Sequence, residues 1–197
     1  MASAPRLSIL IPSIPERFDT HFKPLYDKLT ALAAGHPVEV LALVDNRMRS
    51  IGAKRQALLD IAKGDYVVFV DDDDEVYDRY VEAIVGMIEA NPGVDVVLFD
   101  QHFTFNGNGP HVIRFDHECK QDQQVNLDAK PYVATRRPWH VVPYRRAIAQ
   151  EGTFGDINYG EDAIWVDQVA PLVMSAARIP EVLSHYRYDE NITRAED

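Results

Sequence analysis

Apolar residues in the first half of the chain alternate between short solid runs and helical spacings. Residues 7–11 form a solid run that Pro12 stops, which predicts a buried strand. Residues 17–34 carry Leu25, Leu29 and Leu32 at helical spacing, and residues 38–44 read as a second strand. Ser50 reads as the N-cap of a helix through Ala62, with Ala57, Leu58 and Ile61 facing inward. Gly64 ends that helix before a strand at 66–70. A helix over 77–90 is predicted to bury Val81, Ile84, Val85 and Ile88, and Asn91-Pro92-Gly93 breaks it ahead of a strand at 94–99. Strands separated by helices of this length predict parallel βαβ units with right-handed crossovers.

The second half is less regular. Residues 103–115 read as a hairpin turning at Asn106-Gly107-Asn108-Gly109. Residues 121–130 are polar and read as a loop or short helix, and 131–143 are rich in aromatic and basic residues. A helix at about 161–174 and a short strand near 181–188 complete the pattern. No repeat, low-complexity tract or linker interrupts it. One domain is expected over the 197 residues, with a nucleotide-binding half at about 7–100 and a substrate-shaping half at about 101–190. Ligands of open α/β sheets bind at the carboxyl ends of the strands. Residues 12–17, 45–49 and 71–74 are therefore expected to share one cleft.

The strand at 66–70 delivers Asp71, Asp72, Asp73 and Asp74 in succession. Four like charges need a cation, a helix N-terminus or water. Asp71 and Asp73, one residue apart, suit a hard divalent cation such as Mn2+ or Mg2+ that completes its shell with water and phosphate oxygens. Helix capping accounts for one or two of these acids but not for four after a buried strand. An EF-hand fails because Val76 stands where its loop needs glycine and a strand stands where it needs a helix. Two alternatives stay open at this point. One is a haloacid-dehalogenase-like phosphotransferase using Asp71, although Glu75 departs from that family's motif; the other is a non-enzymatic acidic metal-binding module.

Composition narrows the field. A formal charge of −11 disfavours a broad grip on nucleic acid, leaving Arg136, Arg137, Arg145 and Arg146 as the source of any local basic patch. The single cysteine, Cys119, excludes an internal disulfide and a Cys-rich zinc site. No stretch approaches the roughly 20 apolar residues of a spanning helix, and the expected location is cytoplasmic.

The segment Ser50-Ile51-Gly52-Ala53-Lys54-Arg55-Gln56, continuing through Ala62-Lys63-Gly64-Asp65-Tyr66 into the apolar strand and Asp71-Asp72-Asp73-Asp74, resembles the core of family 2 glycosyltransferases. Gln56 stands where many members have Asn. Leu7-Ser8-Ile9-Leu10-Ile11-Pro12 is similar to the family's opening strand, Val44-Asp45-Asn46 to the end of its second, and Gly160-Glu161-Asp162 to its downstream Glu-Asp motif. The resemblance covers roughly residues 7–190 and is thinnest between 101 and 135. It implies an α/β fold of GT-A type, a Rossmann-like sandwich with a central, mostly parallel mixed sheet flanked by helices. It implies inverting transfer of a sugar from a nucleotide-sugar, with a UDP-sugar favoured, to an acceptor hydroxyl. Asp162 is then the base, and Asp71, Asp73 and His185 the metal ligands, with His185 on the late strand that closes over the diphosphate. Pro12, Glu16, Arg17, Asp45, Arg55, Asp72 and Asp74 fall to the nucleotide and donor, and Trp139, His140 and Glu161 to the acceptor. The acceptor class stays open among a glycan, lipid-linked sugar, small metabolite, protein or modified nucleic-acid base.

Overall fold

Strand β1 (Leu7–Ser13) is buried at every position, so both of its faces meet protein rather than water. The structure, a computed structural model, describes residues 4–188. On one edge β1 pairs in parallel with β2 (Val38–Val44), and on the other with β3 (Tyr66–Phe69). The step from β1 to β2 passes through helix α1 (Lys23–Ala33), and the step back across β1 to β3 passes through α2 (Ile51–Ile61). These steps run in opposite directions, so right-handed crossovers place α1 and α2 on opposite faces of the sheet. The strand order reverses between β1 and β3, and the carboxyl ends there carry Ser13 and Asp71.

The chain continues through β4 (Glu75–Val76), α3 (Tyr80–Ala90), β5 (Val96–Phe105), β6 (Asn108–Phe115), β7 (Ala134–Arg136), β8 (Tyr144–Arg145), α4 (Arg146–Ala149), α5 (Glu161–Val169) and β9 (Ala176–Tyr188). The strands join one mixed sheet in the order β2-β1-β3-β8-β5-β6-β7, with β9 running parallel to β5 and antiparallel to β4. One continuous apolar core fills the space between sheet and helices. Its aromatic anchor is Trp165, stacked on Phe154 at 5.2 Å and edge-on to Tyr144 at 5.0 Å, which fixes α5 to the sheet. Among the described residues no helix is long and apolar enough to cross a membrane.

Several elements differ from their sequence expectations for identifiable reasons. Residues 15–22 wind as a 3-10 turn and a π turn, and the α-helix starts at Lys23. Pro24 lacks the N–H that a helix begun at Arg17 would need there, and it is tolerated in a first turn. In α2 the buried positions are Gly52, Lys54, Arg55, Leu58 and Leu59, while Ile61 is exposed; two buried charges have set the phase of the helix. Helix α3 starts three residues later than expected, because Glu75 and Val76 pair with β9 and the Tyr77 N–H donates to Leu183 C=O. Strand β9 is longer than expected and accommodates Pro180 where its register with β5 shifts. Helix α5 stops at Val169, ahead of Pro171. The hairpin forms as expected, with positive φ at both Asn106 and Gly107.

Candidate active site

After β3 the chain turns sharply, the Asp74 N–H donating to Asp71 C=O at 3.0 Å. The turn splays the four aspartates into different surroundings. Asp71 Oδ1 accepts from Arg55 Nη2 at 2.7 Å. Asp72, 5% exposed, accepts from Ser13 Oγ at 2.6 Å and from Arg17 Nη1 at 2.9 Å. Asp73 Oδ2 accepts from the same Arg17 nitrogen at 3.1 Å. Asp74 Oδ1 is buried with no hydrogen-bond partner. None of them caps α3, which begins at Tyr80.

The electrostatics follow from that packing. Burial and the adjacent Asp71 carboxylate push the Asp73 carboxyl up to about 6. Burial, then Asp71 and Asp73, push Asp74 well above the usual carboxylate range. Burial also opposes ionisation of Asp71, but the Arg55 guanidinium outweighs it and holds that carboxyl well below the usual range. The turn therefore carries more negative charge than its two arginines neutralise.

Three cavities open from the turn; a small one of about 290 Å³ lies between Asp72, Asp73 and Asp74 and the side chains of Thr20, His21 and Arg187, and the other two are larger. The first of the larger two, of about 500 Å³, is lined by Pro12, Ser13, Arg17, Asp71, Asp72 and Asp73 together with the loop Arg47-Met48-Arg49. The second, of about 420 Å³, is lined by Asp71, Asp74, Arg136, Trp139, His140, Glu161 and Asp162. Asp71, Asn158, Tyr159 and Tyr186 line both. A further cavity, of about 550 Å³, lies near the amino ends of β1 and β3 beside Arg6 and Asp65, remote from these residues.

Long-range contacts build the second cavity. The Phe69 N–H donates to His140 C=O at 3.0 Å, which lays His140 beside the end of β3. Its ring then stands between two acids, with Nε2 3.6 Å from Asp71 Oδ2 and Nδ1 3.9 Å from Asp162 Oδ2. Both ring nitrogens are buried without a hydrogen-bond partner. Asp162 fixes Oδ1 on the Ala163 N–H at 2.7 Å, leaving Oδ2 toward the histidine. Glu161 is bound by Arg55 Nε at 3.0 Å, and burial still pushes its carboxyl up. Arg55, 2% exposed, thus ties the end of β3 to the start of α5.

The loop before α5 is docked on the amino end of α2. Ile51 N–H donates to Asn158 Oδ1 at 3.1 Å, Gly52 N–H to Ile157 C=O at 3.1 Å, and Ser50 Oγ to Asp156 at 2.6 Å. Ser50 Oγ also caps the helix by accepting from the Ala53 N–H at 3.1 Å. A Cβ at Gly52 would lie 1.7 Å from the Gly155 carbonyl oxygen, so glycine is required for this contact.

The expected cleft at 12–17, 45–49 and 71–74 forms, with differences in detail. Pro12, Arg17, Asp71, Asp72 and Asp73 face the first cavity, but Asp74 faces the second. Asp45 does not line the first cavity but pairs at 2.8 Å with Lys54 Nζ, which does, and Glu16 pairs with Arg47 at 3.3 Å on the surface. Arg55 lines neither cavity. Trp139, His140, Glu161 and Asp162 come together in the second. His185 is not brought to Asp71 and Asp73: strand alternation turns it toward Thr104 Oγ1, 2.6 Å away, and His102, while Tyr186 takes the cavity face. Sequence reasoning missed Tyr159, Asn158 and Tyr186; the turn-forming Asn158-Tyr159-Gly160, with Gly160 at φ 81°, was the signal for the first two, and Tyr186 on β9 carried none of its own.

Among the described residues no three His, Cys, Asp or Glu side chains form a group that holds a metal ion by itself. Asp71 and Asp73 nonetheless fit a divalent cation that draws its other ligands from water and phosphate. Both offer hard oxygen donors, and the surplus charge around Asp73 and the orphaned Asp74 oxygen call for a cation.

The family model for glycosyl transferase family 2 matches residues 24–153. No curated protein matches the chain significantly. Among solved structures, residues 1–349 of S. aureus TarS in complex with UDP-GlcNAc give a TM-score of 0.66 at 14% identity, covering 98% of this chain and 61% of that one. Glucosyl-3-phosphoglycerate synthase from Mycobacterium tuberculosis, in complex with Mn2+, UDP and phosphoglyceric acid, gives 0.59 at 15% identity, covering 96% and 73%. Another S. aureus TarS structure gives 0.62 at 13% identity, covering 94% of this chain and 37% of that one. The chain thus spans less than two thirds of the TarS chains it matches. At such identities the likeness shows the fold, which is the GT-A sandwich expected from the sequence.

Proposed function

The chain belongs to glycosyl transferase family 2, and from that membership we propose that it moves a sugar from a UDP-sugar to an acceptor hydroxyl with inversion at the anomeric carbon. The observation that carries the reading is that two cavities meet at Asp71, with the acidic turn on one side and Asp162 on the other. Similar structures in complex with UDP-GlcNAc and UDP support the choice of nucleotide. In this reading residues 7–100 bind the donor and 101–190 the acceptor, as halves of one catalytic unit.

Asp71 and Asp73 would hold a Mn2+ or Mg2+ ion, whose chemistry is Lewis-acid neutralisation of the diphosphate leaving group. The chain's own residues do the rest. Arg17, held by Asp72 and Asp73, adds positive charge to the wall of the donor cavity. Lys54, largely buried but lining the same cavity, ties Asp45 to the Ser13 carbonyl and so joins the ends of β1 and β2. Asp162 Oδ2 takes the proton of the acceptor hydroxyl as it attacks. Oδ1 is already committed to Ala163, so the carboxylate presents one oxygen in one orientation. His140 fills the space between Asp71 and Asp162, its ring nitrogens 3.6 and 3.9 Å from the two carboxylates. Trp139, held by an Nε1 bond to Asp122 at 3.2 Å, supplies an apolar face for the acceptor's ring. A base opposite the leaving group gives direct displacement and therefore inversion.

The test combines binding with turnover. Thermal shift with a panel of nucleoside diphosphates, with and without Mn2+, should show metal-dependent stabilisation by UDP. Asp162→Asn should keep that stabilisation while UDP release from a UDP-sugar falls about 10²–10⁴-fold, the usual contribution of a general base. Near-normal turnover in this variant would overturn the base assignment. Equal response to every nucleotide would overturn the donor.

A further inference from the structure

The chain has 31 acidic residues against 20 lysines and arginines, so its arginines are expected to find carboxylates. Most described ones do. Arg49, Arg136 and Arg146 have no carboxylate within ion-pair distance, and the three differ in setting. Arg49 is exposed to water, and Arg146 gives its Nε to Gly64 C=O at 2.7 Å. Arg136 is half-buried in the second cavity, and its Nε is buried with no hydrogen-bond partner. No described residue accepts a hydrogen bond from any N–H of this guanidinium, and a half-buried guanidinium without an acceptor is costly, so the site calls for an acceptor atom that the described chain does not supply.

Arg136 is also held in place. It ends β7 opposite Phe115, and its carbonyl accepts from the Asp116 N–H at 2.8 Å. Its guanidinium lies 5.6 Å from the centre of the Trp139 ring. Stacking occupies the face of a guanidinium and leaves its edge, where the N–H fork matches a carboxylate or phosphate. Among the described residues no other lysine or arginine lines this cavity, whereas Phe115, Trp139, Tyr159 and Tyr186 give it aromatic walls. Asp71 and Glu161, two of its acids, are already tied to Arg55.

We infer that Arg136 anchors an anionic group, a carboxylate or a phosphate, on a ring-bearing acceptor. The inference rests on the reading of the second cavity as the acceptor site and narrows its acceptor to a charged sugar-like class.

Saturation-transfer NMR in the presence of UDP and Mn2+ tests it, with glucose, glucuronic acid and glucose 6-phosphate titrated onto wild type, Arg136→Gln and Arg136→Lys. At least one anionic sugar should bind wild type about tenfold or more tighter than glucose, as a charge-assisted hydrogen bond provides. Arg136→Gln should abolish that preference, and Arg136→Lys should retain part of it by charge without the fork. Equal or absent binding of the anionic sugars, or a preference that survives in Arg136→Gln, overturns the inference. Thermal shift with UDP and Mn2+ separates the remaining cases. Unchanged UDP stabilisation in the variants is expected, a loss would move Arg136 to the donor diphosphate and overturn the inference, and absent stabilisation in wild type would count against the donor reading alone.

Discussion

Replacing Arg55 by methionine keeps most of the side-chain length and removes the charge and all five N–H donors. In wild type the guanidinium sits 2.7 Å from Asp71 and 3.0 Å from Glu161, and its side chain is 3% exposed. With charge centres about 4 Å apart and an effective dielectric of about 20, each pair is worth about 4 kcal/mol of gross attraction. Removing the arginine also relieves its own desolvation, so the net loss is smaller. Breaking a buried pair by deleting one partner costs about 3–5 kcal/mol, because here Glu161 stays buried and Asp71 partly buried without compensation. At about 2–4 °C per kcal/mol for a chain of this size, Tm should fall by about 6–20 °C. Urea unfolding of Arg55→Met, Glu161→Gln and the double variant measures the coupling. The double variant should be more stable than the sum of the singles implies, by about 0.5–3 kcal/mol. A fall in Tm under about 3 °C, or simple additivity, would show that the arginine does not hold the two acids together.

Two further outcomes follow from local geometry. Gly52→Ala ordinarily stabilises a helix by up to about 1 kcal/mol, but here the new Cβ would meet the Gly155 carbonyl oxygen at 1.7 Å. It should instead cost about 1–3 kcal/mol and speed proteolysis within residues 153–160; an unchanged or higher Tm would refute the docked-loop geometry. Asp95 is buried, which pushes its carboxyl up, but the Met174 and Ser175 N–H groups and Arg145 outweigh that and hold it below the ordinary value. Its contribution is then present at neutral pH and lost as pH falls through the depressed value. Asp95→Asn should lower stability by about 1–3 kcal/mol at pH 7. The gap between the two proteins should start to close below about pH 4, the unfolded carboxylate value, and finish closing only below the depressed folded value; a gap in urea-derived stability unchanged from pH 7 to about pH 2 would contradict this.

The alternation of apolar runs and helical spacings placed β1, β2, β3, α2 and α3 because each carries its own signal: a short, mostly apolar run, or apolar residues three and four apart. Asp71 and its neighbours were legible for the same reason, since strand and acids are contiguous. What the sequence did not announce is what tertiary contact decides. Ile61 looked inward by spacing, yet Arg55 and Lys54 face inward because their carboxylate partners lie on β3, α5 and the end of β2. Pro24 did carry the information that a helix from Arg17 is untenable, and Pro180 and Pro171 carried theirs about β9 and α5. His185 and Tyr186 differ by one position on a strand, and only the pairing register says which faces the cavities. The meeting of Asp71, His140 and Asp162 needs three distant segments at once, which no local pattern contains.

The amino end of α2 lies where open α/β folds often cradle a phosphate on free helix N–H groups. In this chain those groups are already engaged, Ile51 by Asn158, Gly52 by Ile157, Ala53 by Ser50 Oγ and Lys54 by the Ser50 carbonyl. The helix dipole end is thus closed to anions by the chain's own loop. In the proposed reading a diphosphate beside it would draw nothing from this helix end, so donor affinity should depend on ionic strength in the manner of side-chain point charges rather than of a helix-end cradle.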